Sequence, residues 1–423
     1  MLDINFIREN LDAVKAGAIK KHIKIDLDKL IKVDDKRRAL LQEVEKLRAT
    51  QNEVSKKISA ASDSEKVSLI AQMQTLKKEL QALEKELKDT MRIWRELMLQ
   101  VPNIPDISVP EGKDDSENVE VKSWGEKPQF NFEPKSHIDL MLNLDMVDFE
   151  RGTKVAGFRG YFLKNDGALL AWAVWQAAQK HFLEKGFEPI SVPSLVRKET
   201  LMGTGYIPGG EDDLYKTQDE LYLSGTGEVA TMAYFMDEVL PKQILPKKFL
   251  AFSPCFRREA GSHGKDTKGL IRVHEFFKWE QVVLCEASHE ESVKWHEWIN
   301  RNTEEFVEKL GIPYRTVVNC GGDLGLGQVK KYDIELWVPN ENKYREISSA
   351  SYFHDFQTRR LNIRYKDDDK LRFVHSLNST AAPTPRFLVA IVENNQQEDG
   401  SIVVPEILRP YLGKDVIKAK DEA

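Results

Sequence analysis

The stretch FSPCFRREAGSHGKDTKGLIRVHEFFKWEQVV, Phe252 to Val283, decides how the larger part of this chain folds. Two runs rich in aromatic and β-branched residues flank a segment holding Gly261, Gly264 and Gly269. That pattern predicts two strands joined by a long loop. In the second strand a period of two puts Arg272, His274, Phe276, Lys278 and Glu280 on one face. Ile271, Val273, Phe277 and Trp279 fall on the other, which is expected to pack inward. A sheet face carrying cations, a ring and a carboxylate reads as a candidate site, although solvated sheet faces are commonly polar too.

Two later segments carry residues of the same chemical kind. KYREISSASYFHDFQTRR, Lys343 to Arg360, offers Glu346 and Ser349 as hard oxygen ligands of the type magnesium takes beside phosphates. HSLNSTAAPTPRFLVAIVENNQQEDGSIVVPEILRPYLG, His375 to Gly413, reads as a polar NST loop leading to Arg386 at the start of an apolar helix. Each is weak evidence alone.

Towards the N-terminus the pattern changes. Leu40, Val44, Leu47, Gln51, Val54 and Ile58 recur at alternating steps of four and three. Leu69, Met73, Leu76, Leu80, Leu83, Leu87, Thr90 and Trp94 do the same. These are heptad seams on two helices, separated by a turn-forming SAASDS at Ser59 to Ser64. Neither helix can bury its stripe alone, so an antiparallel hairpin over about 27–100 is expected. LDINFIRENLDAVKAG reads as one short amphipathic helix at its base. The hairpin is mildly basic while the remainder is acidic; such a surface suits phosphate contacts, and equally an ordinary solvated coiled coil. VPNIPDISVPEGKDDSENVEVKSWGEKP, with three prolines before residue 111, marks a boundary near residue 110. The fold expected is α+β, with a helical arm over 1–110 and a second domain mixing helices and strands over 111–423.

A formal charge of −6 leaves any RNA binding to a local basic surface. Three widely spaced cysteines, Cys255, Cys285 and Cys320, argue against a structural zinc or a disulfide framework and for a reducing cytoplasm. No basic leader with an apolar core opens the chain, and no apolar run is long enough to span a bilayer. No GxxxxGK[ST] loop, dinucleotide fingerprint, kinase signature or HExxH motif is present. ATP, if bound, is held by side chains on a sheet.

FRREAGSHGKDTKGLIRVHEFFKWEQ resembles motif 2 of the class II aminoacyl-tRNA synthetases, in the form found in the seryl-tRNA synthetase family. NSTAAPTPRFLVAIVENNQQEDGSIVVPEILRPY resembles motif 3, and GFEPISVPSLV, with Gly186 and Pro193, resembles the motif 1 dimerisation segment. The helical hairpin is similar to the family's tRNA-binding arm, so the resemblance spans the chain. It implies an antiparallel sheet flanked by helices, and a cytoplasmic homodimer that is not membrane-bound. The implied enzyme is an ATP- and Mg²⁺-dependent ligase, of the bacterial-like form that uses no zinc. It activates L-serine and charges tRNA(Ser), with tRNA(Sec) a further substrate in organisms that have one.

Residue by residue, the resemblance makes Arg257 the holder of the α-phosphate and the serine carboxylate, with Arg258 and Glu259 contacting ATP beside it. Val273 is implied as a backbone contact to the nucleotide and Phe276 as the ring on adenine. Arg386 clamps the γ-phosphate end. Glu346, Ile347, Ser348 and Ser349 form the magnesium- and phosphate-binding stretch, with Glu346 and Ser349 as metal ligands. Within LSGTGEVA, Thr226, Gly227 and Glu228 form the element that grips the serine ammonium, and Glu280 and Thr380 read the hydroxyl. The catalytic residues so implied are Arg257, Arg386 and Glu346. Two departures stand out: Gly227 replaces the usual alanine, and Ala381, Ala382, Pro383 and Pro385 replace glycines before Arg386.

The chemistry asks for these residue types. Carboxylate attack on an α-phosphorus builds charge on phosphate oxygens, which planar guanidinium groups stabilise bidentately. A buried Glu280 left unpaired would penalise alanine. A carrier-protein aminoacyl ligase would lack the arm and use metal. A pseudo-synthetase scaffold would have lost Arg257, Glu280, Glu346 or Arg386, and an unrelated coiled-coil protein leaves the three ordered motifs unexplained.

Overall fold

The structure is a computed structural model and describes residues 1–261, 264 and 266–419. The chain divides into two compact units. One comprises 2–19 and 23–102; the other comprises Met1, 20–22 and 103–423.

In the first unit, α1 (Ile4–Glu9) and α2 (Leu11–Lys20) precede two long helices, α3 (Leu27–Ala60) and α4 (Asp63–Gln100). The single short helix expected at the start is therefore two. Asn10 ends the first by turning its own side-chain amide onto the Phe6 carbonyl, 3.1 Å away. Along α3 and α4 the residues of both heptad seams are buried or half-buried, and most of their neighbours are exposed. The turn is tighter than SAASDS: only Ala61 and Ser62 lie outside the helices. The Ser62 N–H donates to the Glu65 carboxylate at 3.1 Å, a capping box that starts α4. At the hairpin base the buried Asp34 carboxylate accepts from Arg8 at 2.9 Å and from Arg37 at 2.7 Å, which satisfies an otherwise costly charge.

The second unit is built on an eight-stranded sheet. Its strand order is Val119–Trp124, Tyr314–Val318, Lys330–Val338, Lys343–Tyr352, His375–Thr384, Glu275–Cys285, Lys247–Phe256 and Glu188–Ser191. Every pairing is antiparallel except the last. Helices Asp166–Glu184, His289–Leu310 and Arg386–Asn394 bury Val174, Phe306 and Leu388 in one core with Leu250, Trp279 and Val283 of the sheet. Where the polar Gln281 enters this core, its amide donates to the Ile299 carbonyl and the Thr303 hydroxyl, both at 3.0 Å.

The second strand of the opening stretch starts later than its alternation suggests. It begins at Glu275, so Ile271 to His274 belong to the preceding loop. The loop imitates a strand because Ile271 and Val273 are buried by packing. The expected NST loop is also strand: Asn378, Ser379 and Thr380 pair with Val282, Gln281 and Glu280.

Candidate active site

Arg257 follows the strand Lys247–Phe256, and its backbone N–H donates to the His274 carbonyl at 2.9 Å. That bond closes the loop between the two strands. Its Nε donates to the Gly225 carbonyl at 3.3 Å, and the guanidinium lies 5.2 Å from the centroid of the Phe276 ring. Arg386 is the first residue of the helix Arg386–Asn394. Its Nε donates to the Ile271 carbonyl at 2.9 Å and its Nη1 to the Glu346 carbonyl at 2.6 Å. Two guanidinium groups from distant segments are thus fixed by backbone oxygens, leaving their remaining donors for an anion.

Both arginines line one open cavity, together with Glu259, Phe276, Lys278 and Glu346. Val273, Ile347 and Thr380 also line it. Burial, opposed by Glu346 and reinforced by Arg257 and Arg272, pulls the Arg386 pKa below its ordinary value. Cations crowded in this way are relieved by a bound anion. Glu259 is occupied by Arg272 at 2.5 Å, and Arg272 lies 3.6 Å from Asp266.

Other expected residues stand elsewhere. Arg258 points to the Asp212 carbonyl, 2.9 Å away. Ser348 turns inward and donates to the Thr380 carbonyl at 2.6 Å, while Ser349 pairs across the sheet with Asp333. None of these three lines the cavity among the described residues. His274, expected on the site face, lines a separate cavity with Trp172 and Trp175.

Behind the cavity wall lies a buried polar compartment. Thr226 caps the helix Gly227–Met232, and Glu228 sits in that helix's first turn. Tyr206 donates to Glu228 at 3.0 Å, Gln357 at 2.6 Å and Asn378 at 3.1 Å. Asn378 also donates to Glu280 at 3.1 Å. Nothing in the sequence marks Tyr206 or Gln357 as site residues, and for Asn378 the only signal is the NST tripeptide.

Glu280 is not the unpaired carboxylate expected. Lys278, equally buried, pairs with it at 2.5 Å and donates to the Thr380 hydroxyl at 3.3 Å. The Thr226 hydroxyl adds a longer contact of 3.4 Å. With three of roughly four acceptor positions filled, Glu280 can take one more donor. Selection against a ligand lacking that donor then rests on one lost charge-assisted hydrogen bond, and no bare charge is left behind. Lys278 and Thr380 line the cavity as well, so the compartment and the cavity share a wall.

Desolvation raises the Glu228 pKa to about 7, with Glu280 adding to the rise and Gln357 opposing it. A Cβ at Gly227 would stand 3.1 Å from the Ser253 hydroxyl and 3.7 Å from the Glu280 Cβ. Glycine therefore leaves slightly more room here than alanine.

Of the two oxygens expected to hold magnesium, the Glu346 carboxylate lines the cavity and the Ser349 hydroxyl does not; a magnesium ion takes one or two carboxylates and completes its shell with water and phosphate. Among the described residues no group of three or more His, Cys, Asp or Glu side chains is arranged to hold a metal, and no helix is long and apolar enough to cross a membrane.

Comparison with known proteins bears on this arrangement. Residues 212–395 match the tRNA synthetase class II core domain (G, H, P, S and T), and residues 1–105 match the seryl-tRNA synthetase N-terminal domain. The serine–tRNA ligase of Deinococcus radiodurans is 46% identical over 98% of both chains. That of Thermodesulfovibrio yellowstonii is 44% identical over 99% of this chain and 100% of its own. The crystal structure of seryl-tRNA synthetase from Pyrococcus horikoshii complexed with ATP superposes with a TM-score of 0.91 at 39% identity, covering 100% of both chains.

Proposed function

The chain belongs to the seryl-tRNA synthetase family and is a serine–tRNA ligase, and we propose that both halves of its reaction run between the Arg257–Arg386 cavity and the compartment around Glu280. In the first half, L-serine and ATP give seryl-adenylate and pyrophosphate. In the second, serine passes to the 3′ end of tRNA(Ser), and of tRNA(Sec) in an organism that has one. The observation that carries this reading is that Arg257 and Arg386 line one cavity with Lys278, which pairs with Glu280 and donates to the Thr380 hydroxyl on the same wall.

Arg257 holds the α-phosphate against the serine carboxylate, and Phe276 stacks on adenine beneath it. Arg386 takes the γ-phosphate end, and Glu259, Val273, Glu346 and Ile347, which line the same cavity, complete the nucleotide site. Glu346, at the cavity wall, would hold Mg²⁺, which supplies charge neutralisation at the phosphates. The serine carboxylate attacks the α-phosphorus and pyrophosphate leaves. The two guanidinium groups stabilise the charge that develops, without a proton-transfer residue.

Thr226, the Gly227 backbone and Glu228 receive the serine ammonium, and Glu280 and Thr380 its hydroxyl. Glu280→Ala is expected to lower kcat/KM for serine in ATP–pyrophosphate exchange by about 10²-fold. Glu280→Gln should fall between this variant and the parent, because it keeps the shape beside Lys278. An unchanged serine dependence in both would sink this assignment.

The ammonium is bound by ionised Glu228, and a carboxyl titrating near 7 is protonated below that pH. Ionised carboxylate, and with it serine affinity, is lost as pH falls through 7. KM for serine should therefore rise by about tenfold per pH unit below neutrality, and stay level above it. A flat profile between pH 6 and 8 would contradict the role of Glu228.

Residues 1–110 form the tRNA-binding arm and 111–423 the catalytic domain. Lys32, Arg38, Lys46, Lys56, Lys57 and Lys78 on the long helices are exposed and suited to phosphate contacts. The working enzyme is a cytoplasmic homodimer. Support comes from the exposed Leu169 and Trp172 on the helix before the Gly186–Pro193 segment, and from three buried free thiols.

A further inference from the structure

His137 begins the short helix His137–Asn143, and its ring is almost wholly buried. Its Nδ1 lies 2.9 Å from the buried Glu393 carboxylate, which also accepts the His137 backbone N–H at 2.8 Å. Its Nε2 receives the Leu270 backbone N–H at 3.2 Å. An N–H can only donate, so Nε2 is an acceptor there and the proton sits on Nδ1, facing Glu393. One imidazole thus joins the helix Arg386–Asn394, through Glu393, to the nucleotide-site loop, through Leu270.

The next residue of that loop, Ile271, gives its carbonyl to Arg386 Nε at 2.9 Å. The loop backbone is therefore held at Leu270 by His137 and used at Ile271 to aim Arg386. Gly269 fits the same scheme. Its φ is +79°, and a Cβ there would stand 2.3 Å from His137 Nε2 and 3.0 Å from Ile138. A side chain at 269 would push the imidazole off the loop.

We propose that His137, oriented by Glu393, is a positioning residue for ATP. It fixes the Leu270–Ile271 backbone, and through it the guanidinium of Arg386, without touching substrate. The proposal rests on the reading of Arg386 as the ATP clamp.

The test compares His137→Gln, His137→Asn and Gly269→Ala in ATP–pyrophosphate exchange, with Arg386→Ala as control. Glutamine can place its amide oxygen where Nε2 accepts, whereas asparagine reaches only the Nδ1 position. His137→Asn and Gly269→Ala should raise KM for ATP by about tenfold and leave KM for serine within about twofold. His137→Gln should restore most of the ATP affinity. The unmoved serine KM separates this effect from general loss of fold. Equal ATP KM values in His137→Asn and the parent, or equal impairment of the asparagine and glutamine variants, would overturn the proposal. If Arg386→Ala itself left exchange intact, the clamp reading would fail separately from the role of His137.

Discussion

Arg386→Ala is expected to lower kcat/KM for ATP in serine-dependent ATP–pyrophosphate exchange by about 10³-fold, through both a raised KM for ATP and a lowered kcat. Removing one preorganised donor from a phosphoryl-transfer site costs on this scale, because the interaction strengthens as charge develops on the leaving group. Two local features favour a clean result. The Arg386 guanidinium is held by backbone oxygens at Ile271 and Glu346, so truncation strands no buried carboxylate. The apolar helix behind it is packed by Phe387 to Val392, which the substitution leaves alone. Arg386→Lys keeps the charge but loses the planar fork, and should recover only a small part of the rate. Exchange within tenfold of the parent in the alanine variant would contradict the clamp.

Deleting residues 32–95 and bridging the gap with a short flexible linker should leave exchange within a few-fold of the parent and abolish charging of tRNA(Ser), a loss of at least about 10³-fold. The expectation follows from the division of the chain. The long helices bury their seam residues against each other, while the sheet, both arginines and Glu280 belong to the other unit. Losing the helices removes the exposed lysines proposed to meet tRNA phosphates and none of the residues proposed to meet ATP or serine. Charging by full-length protein should also fall steeply with added salt, since phosphate contacts release counterions. Surviving charging after the deletion would dispose of the arm's assigned role.

The coiled-coil hairpin could be read from the chain because a seam with a period of 3.5 has few alternative readings, and burial follows it residue by residue. The meeting of Arg257, Phe276, Glu346 and Arg386 at one cavity could be anticipated only through the resemblance of three separate motifs. Nothing in their spacing brings 257 to 386. The partners of Glu228 stayed hidden because Tyr206, Gln357 and Asn378 converge from remote segments, and none belongs to a periodic pattern. Lys278 falls on the same strand face as Glu280, yet an i, i+2 relation by itself does not specify the ion pair that the two form. The misplaced start of the strand at Glu275 has a simple cause. Alternating burial in Ile271 to His274 comes from loop packing, and alternation cannot distinguish that from a ladder. The first and last of these four residues, Ile271 and His274, accept from Arg386 and Arg257, so the irregularity lies where the site is built.

The most direct measurement is ATP–pyrophosphate exchange by the full chain, run separately with each of the twenty standard amino acids. Serine alone should drive rapid exchange, with threonine and alanine slower by orders of magnitude. Rapid exchange with a different amino acid, or none with serine when ATP and Mg²⁺ are supplied, would contradict the account at its centre.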